Sequence, residues 1–110
     1  MTELTFYQDD LGNIRGFKSE GHSGYAEAGS DIVCSAVSAL VINTVNSIER
    51  FSKTGMTVEA DEEEGIIKVD LNGIPDHDAD LLLKSLILGI TSIKEDEETE
   101  PFVNLIFKEV

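Results

Sequence analysis

One cysteine, Cys34, is all the thiol chemistry that the 110-residue chain holds, so an internal disulfide framework is excluded. Basic residues are scarce as well. Eight Lys and Arg stand against 22 Asp and Glu, a formal net charge of −14. Phosphate backbones repel such a surface, which argues against direct binding of nucleic acid. No continuous apolar run reaches bilayer length, which argues against a membrane span. The start, MTELTFYQDD, is acidic and lacks a charged-then-apolar leader. Together with the lone thiol, these absences favour the reducing cytoplasm. Internal linkers, low-complexity tracts and clear repeats are also missing, so residues 1–110 read as one domain. Hydrophobic residues make up 41% of the chain, enough for a core and too many for a disordered tail. The acidity itself has two readings. It keeps the protein soluble, or it steers a basic peptide or protein toward it.

The residue pattern predicts seven elements. Residues 2–7 alternate, with Leu4 and Phe6 on one side, and residues 13–19 form a second strand; Asp9, Asp10, Gly12 and Asn13 between them are hairpin-turn residues. From Asp31 to Arg50 the period becomes helical, with Val33, Val37, Leu40, Val41, Thr44 and Ile48 at spacings of three and four. Ser30 or Asp31 can cap its start, and Lys53 and Gly55 suit its end. Met56, Val58 and Ala60 alternate, as do Ile67, Val69 and Leu71, with DEEEG at 61–65 as the turn. After Asn72, Gly73 and Pro75, residues 76–94 read as a second helix with three aspartates in its first turn, where the helix dipole favours anions. One stripe of that helix holds Ala79, Leu82, Leu83, Leu86, Ile87, Ile90 and Ile93; Leu81 and Leu88 fall opposite it. A charged link and a closing strand, FVNLIFKEV, end the chain. The order ββαββαβ implies an α+β fold, a mostly antiparallel sheet covered by two helices.

Common phosphate and hydrolase signatures fail. Gly21, Gly24 and Gly29 do not fit G-x-G-x-x-G, and no G-K-[ST] follows. Gly21-His22-Ser23-Gly24 does not make a serine elbow. Cys34, His22 and His77 match no zinc spacing, so neither a metal nor another cofactor is expected.

Cys34 is open to two readings. With Asp31 as N-cap, it is the third helical residue, near unpaired amides at the positive end of the dipole, a place that favours thiolate. On the helical wheel it also lies beside Val41 and Val45 at the edge of the apolar stripe, where a free cysteine is ordinary core. His22 shifts the weight toward chemistry. It follows a predicted strand in a glycine-rich loop, has no core role, and is suited to act as base and then acid beside a thiol. Gly21, Gly24 and Gly29 permit that loop to move as a lid, or simply to turn.

Gly21-His22-Ser23-Gly24, followed by Asp31-Ile32-Val33-Cys34-Ser35-Ala36-Val37-Ser38, resembles the ribosomal-processing cysteine protease family, Prp. Length, element order and closing strand agree over the whole chain. The resemblance implies a cytoplasmic bacterial endopeptidase and homodimer. It implies removal of a short N-terminal extension from a large-subunit ribosomal protein precursor, with cleavage after an aromatic residue. It places the nucleophile on Cys34, the histidine on His22 and a supporting acid on Asp31. Gly21, Ser23, Gly24, Tyr25 and Gly29 would belong to a mobile substrate loop. A basic precursor suits the acidic surface. A different class of function, a non-catalytic acidic adaptor for a basic ribosomal protein, would need the charge but neither His22 nor Cys34.

Overall fold

The computed structural model describes residues 1–21 and 30–110, including the side chains of all of these but Ser30 and Asp31. Strands β1 (Thr2–Gln8) and β2 (Ile14–Gly21) precede helix α1 (Ser30–Phe51); β3 (Met56–Asp61) and β4 (Ile66–Leu71) precede α2 (His77–Glu95); a single 3-10 turn, Glu100–Phe102, leads into β5 (Val103–Glu109). The five strands lie in the order β3-β4-β2-β1-β5. Three neighbouring pairs are antiparallel, and β5 runs parallel to β1. The expected ββαββαβ order and α+β class are therefore what the chain adopts.

Local chemistry makes the turns. The Asp9 carboxylate accepts from the Leu11 and Asn13 amides, and Gly12 takes a positive φ of 84° to close the first hairpin. Alternation then sorts the sheet faces. Leu4 pairs with Ser19 and Leu105, and Phe6 pairs with Phe17 and Phe107. The Phe6 ring lies 5.5 Å from Phe17 and 5.7 Å from Phe107, centroid to centroid. This face carries both helices. Val33, Val37, Val41 and Ile48 of α1 and Ala79, Leu83, Leu86 and Ile90 of α2 are buried on it. The helices approach closely where a Cβ on Gly89 would sit 3.1 Å from Leu40 Cδ1. The opposite sheet face is polar, with Lys18 opposite Lys68 and Glu20 opposite Glu3.

Asp76 ties the two halves of the chain. It caps α2 by accepting from the Ala79 amide at 2.8 Å, accepts from the Lys53 amide at 2.9 Å, and donates its own amide to Thr54 Oγ1. Hydrogen bonds from the Ala79 and Lys53 amides hold its carboxyl below the usual aspartate value.

Helix α1 corrects one sequence expectation. Its residues Ile32–Phe51 are long and apolar enough by length and composition to cross a membrane, with a mean hydropathy of 1.5. The search for a continuous apolar run missed this because Ser, Thr and Asn are interspersed with the aliphatics. Packing accounts for part of this apolar surface: Val33, Val37, Val41 and Ile48 are buried, whereas Ile32 and Ile42 are exposed.

Candidate functional site

The site forms where β2 ends. Gly21 pairs with Thr2 of β1 and donates its amide to the Gly65 carbonyl at 3.0 Å. A Cβ on Gly21 would lie 3.1 Å from Cys34 Sγ. The strand end and the thiol are therefore in contact range, and a bare glycine preserves the gap. Gly65 is equally constrained. Its φ is +65°, and a Cβ there would overlap the Gly21 carbonyl oxygen. Asp61 shapes the tip that presents it by accepting from the Glu63 and Glu64 amides through Oδ1. The acidic turn 61–65 is thus packed against the end of β2, whereas the sequence marks it only as a hairpin.

Cys34 is half-buried, so it is not the fully buried core thiol of one reading. Because α1 already includes Ser30, Cys34 is its fifth residue, not its third, and Asp31 lies within the first turn instead of capping it. The thiol sits one turn into the helix. It opens into a cleft of about 350 Å³. Cys34, Ser38 and Ile42 line it from α1, Ala60 and Ile67 from the β3–β4 hairpin, and acidic Asp61 and Glu62 also border it. Ser38 and Ile42 follow Cys34 at intervals of four, so a helical wheel drawn around the thiol would have found them.

His22, Ser23, Gly24, Tyr25, Gly29 and the Asp31 side chain lie outside the described residues. The structure brings together Gly21, Cys34 and Gly65, and His22 is the next residue in the chain after Gly21. His77 is exposed at the start of α2, with Nδ1 3.2 Å from Asp78 Oδ1. Among the described residues, no group of three or more His, Cys, Asp and Glu side chains is placed to hold a metal ion.

A five-stranded sheet under two helices, with a free thiol opening into a cleft, is an arrangement found among thiol hydrolases. The family described as Cysteine protease Prp matches residues 1–100, and the protein belongs to that family of cysteine proteases. The ribosomal processing cysteine protease Prp of Staphylococcus aureus is 29% identical over 91 residues, covering 80% of this chain and 83% of that one. The Bacillus subtilis protein of the same name is 26% identical over 100 residues, covering 87% of this chain and 89% of its own. Among solved structures, SMU.848 of Streptococcus mutans superposes with a TM-score of 0.86 at 31% identity, over 100% of this chain and 99% of that one. The S. aureus protease in complex with a substrate peptide shares the fold, with a TM-score of 0.90 at 22% identity over 98% of this chain and 100% of that one.

Proposed function

We propose that the protein is a single cysteine endopeptidase domain that removes the N-terminal extension of a large-subunit ribosomal protein precursor in the bacterial cytoplasm. Cys34 is the nucleophile and His22 the general base and acid. One observation carries the assignment. The chain's only cysteine opens into a cleft beside the strand end that leads directly into His22. A cysteine protease with one cysteine has one available nucleophile.

The steps follow from the groups present. His22 accepts the proton of the Cys34 thiol as sulfur attacks the scissile carbonyl carbon. The carbonyl oxygen becomes an oxyanion, for which the backbone amides at the start of α1 are suitable donors. Collapse expels the new amine, which takes the proton from His22, and leaves a thioester on Cys34. Water, deprotonated by His22, hydrolyses the thioester and returns the thiol. Asp31 supports the pair, either by its charge near His22 or through the helix start. The names of the S. aureus and B. subtilis relatives support a ribosomal protein as substrate. The net charge of −14 suits a basic one. The acidic-adaptor alternative is not favoured, since an adaptor requires neither membership of a protease family nor a cleft at Cys34. We also infer a homodimer, from the second apolar face of α2.

Incubating the purified protein with the precursor and weighing the product by mass spectrometry tests this. The precursor should lose the mass of its extension, and Cys34→Ala should abolish that loss while leaving circular dichroism unchanged. Processing by Cys34→Ala would overturn the assignment.

A further inference from the structure

The floor of the cleft at Cys34 carries hydroxyl groups. Thr2 and Ser19 both line it, and they are only 3% and 8% exposed. Strand register aims them there. Ser19 pairs with Leu4 and Ile67, and Thr2 pairs with Gly21 and Val103, on the sheet face that carries the helices. Among the described residues two other polar side chains are buried. Thr44 donates its hydroxyl to the Leu40 carbonyl, and Thr5 lies on the opposite face of β1, between Leu4 and Phe6. Among the described residues neither Thr2 nor Ser19 makes a side-chain hydrogen bond, and no fully covered side-chain oxygen is left without a partner, so both hydroxyls open on the cleft. Gly21 keeps the way from them to the thiol clear. The point that a Cβ on Gly21 would occupy is 3.1 Å from Cys34 Sγ and 3.6 Å from Thr2 Oγ1.

We propose that Thr2 and Ser19 are specificity-determining residues that select, close to the scissile bond, a substrate side chain ending in a carboxamide. The proposal rests on Cys34 as the nucleophile. A buried hydroxyl left without a partner costs more than a satisfied one contributes, so a group that enters the cleft is favoured when it pairs with both. Each hydroxyl can donate and accept, and a carboxamide does the same, so one head group can satisfy the two together. An apolar side chain of equal length would strand them. A carboxylate is repelled by Asp61 and Glu62, which border the cleft. A cationic head is held at the border by those same carboxylates and would have to shed its water to reach the floor. Ile42, Ala60 and Ile67 leave apolar wall for a methylene stem. An extended peptide advances ~3.3 Å per residue, so a floor this near the thiol reads a residue within about two positions of the scissile bond.

The test separates binding from cleavage. Labelled peptides spanning the precursor's cleavage site are titrated into Cys34→Ala protein. Each of the two residues on either side of the scissile bond is replaced in turn by glutamine, by methionine, which matches its length without the polar head, and by lysine. At one of these positions the glutamine peptide should bind about tenfold tighter than the methionine peptide, a ratio that one or two neutral hydrogen bonds supply. Adding Thr2→Val and Ser19→Ala, which remove the hydroxyls with little change of shape, should bring that ratio to about one. Either substitution alone should reduce it in part, so the outcome does not depend on the combined variant folding. Thr2→Ser keeps the hydroxyl and should keep the preference. Equal affinity for glutamine and methionine at every position overturns the proposal, as does a preference that survives loss of both hydroxyls. Tighter binding of lysine than of glutamine at the selected position also overturns it, and would assign recognition to Asp61 and Glu62. Cleavage of the unsubstituted peptide by wild-type protein tests the nucleophile separately, so failure of the catalytic assignment would show there and not in the binding ratios.

Discussion

Gly65→Ala should damage the site from a hairpin more than thirty positions away in sequence. Three effects add. A non-glycine residue at φ +65° costs about 1–2 kcal/mol in backbone strain. The new Cβ overlaps the Gly21 carbonyl oxygen, a backbone atom that moves only with β2, and relief of such overpacking costs typically ~1–3 kcal/mol. Moving the strand end away strains or breaks the 3.0 Å bond from the Gly21 amide to the Gly65 carbonyl, worth about 0.5–1.5 kcal/mol. The sum is roughly 2.5–6.5 kcal/mol, a large part of a small domain's stability. Gly12→Ala is the control. Its φ is +84°, but nothing lies within 4 Å of its Cβ, so backbone strain of about 1–2 kcal/mol is the whole cost. Urea denaturation of both variants at neutral pH measures the difference, expected at about 1.5–4.5 kcal/mol. Peptide cleavage should fall further in Gly65→Ala than in Gly12→Ala under conditions where both remain folded, because only the former moves the strand end away from Cys34. Equal destabilisation by the two substitutions would refute the claim that the hairpin tip positions β2.

Two other outcomes follow from the same contacts. The Asp76 carboxyl is held below its usual value by amide hydrogen bonds, so its contribution is full above the ordinary aspartate pKa and is lost as pH falls through the depressed one. Asp76→Asn should therefore lower the urea midpoint at neutral pH and narrow its gap to wild type in strong acid, whereas a constant gap across that range would contradict the assignment. On α2, Leu81 and Leu88 are 56% and 68% exposed opposite the buried stripe, so Leu81→Glu with Leu88→Glu should convert a dimer to monomer in light scattering; a monomeric wild type at micromolar concentration, or a double variant that stays dimeric, would remove α2 as the interface.

Periodicity made the fold legible. The helical stripe read at Val33, Val37, Val41 and Ile48 is the buried face of α1, and the stripe read on α2 contains all four of its buried residues. Those signals are local, repeating every few residues along one element, and core burial enforces them. The parallel seat of β5 beside β1 was not legible, since no local pattern records which strand a returning chain will join. Helix starts were less legible than stripes. Ser30 and Asp31 both have capping chemistry, and reading Asp31 as the cap put Cys34 two positions too close to the helix end. At the site, Cys34 could be singled out because it is the only thiol. Gly65 could not, because its role depends on a contact with a residue 44 positions earlier in the chain, and glycine after an acidic turn is ordinary hairpin chemistry.

The half-burial of Cys34 is itself a consequence of the sheet's asymmetry. Helix α1 has one flank packed on α2 and the other facing the β3–β4 hairpin. Residues facing the sheet become core, as Val33 and Val37 do. Residues on the second flank, Cys34, Ser38 and Ile42, keep one side against the sheet and one side open. A nucleophile needs both conditions, because the packed side fixes its position and the open side admits a substrate. The edge strand β3 supplies part of the second wall of the cleft through Ala60 and Asp61. The ββαββαβ order produces this arrangement directly. The hairpin that follows α1 joins the sheet beside β2, at the end farthest from β5, and brings Ala60 and Ile67 to the cleft beside the thiol.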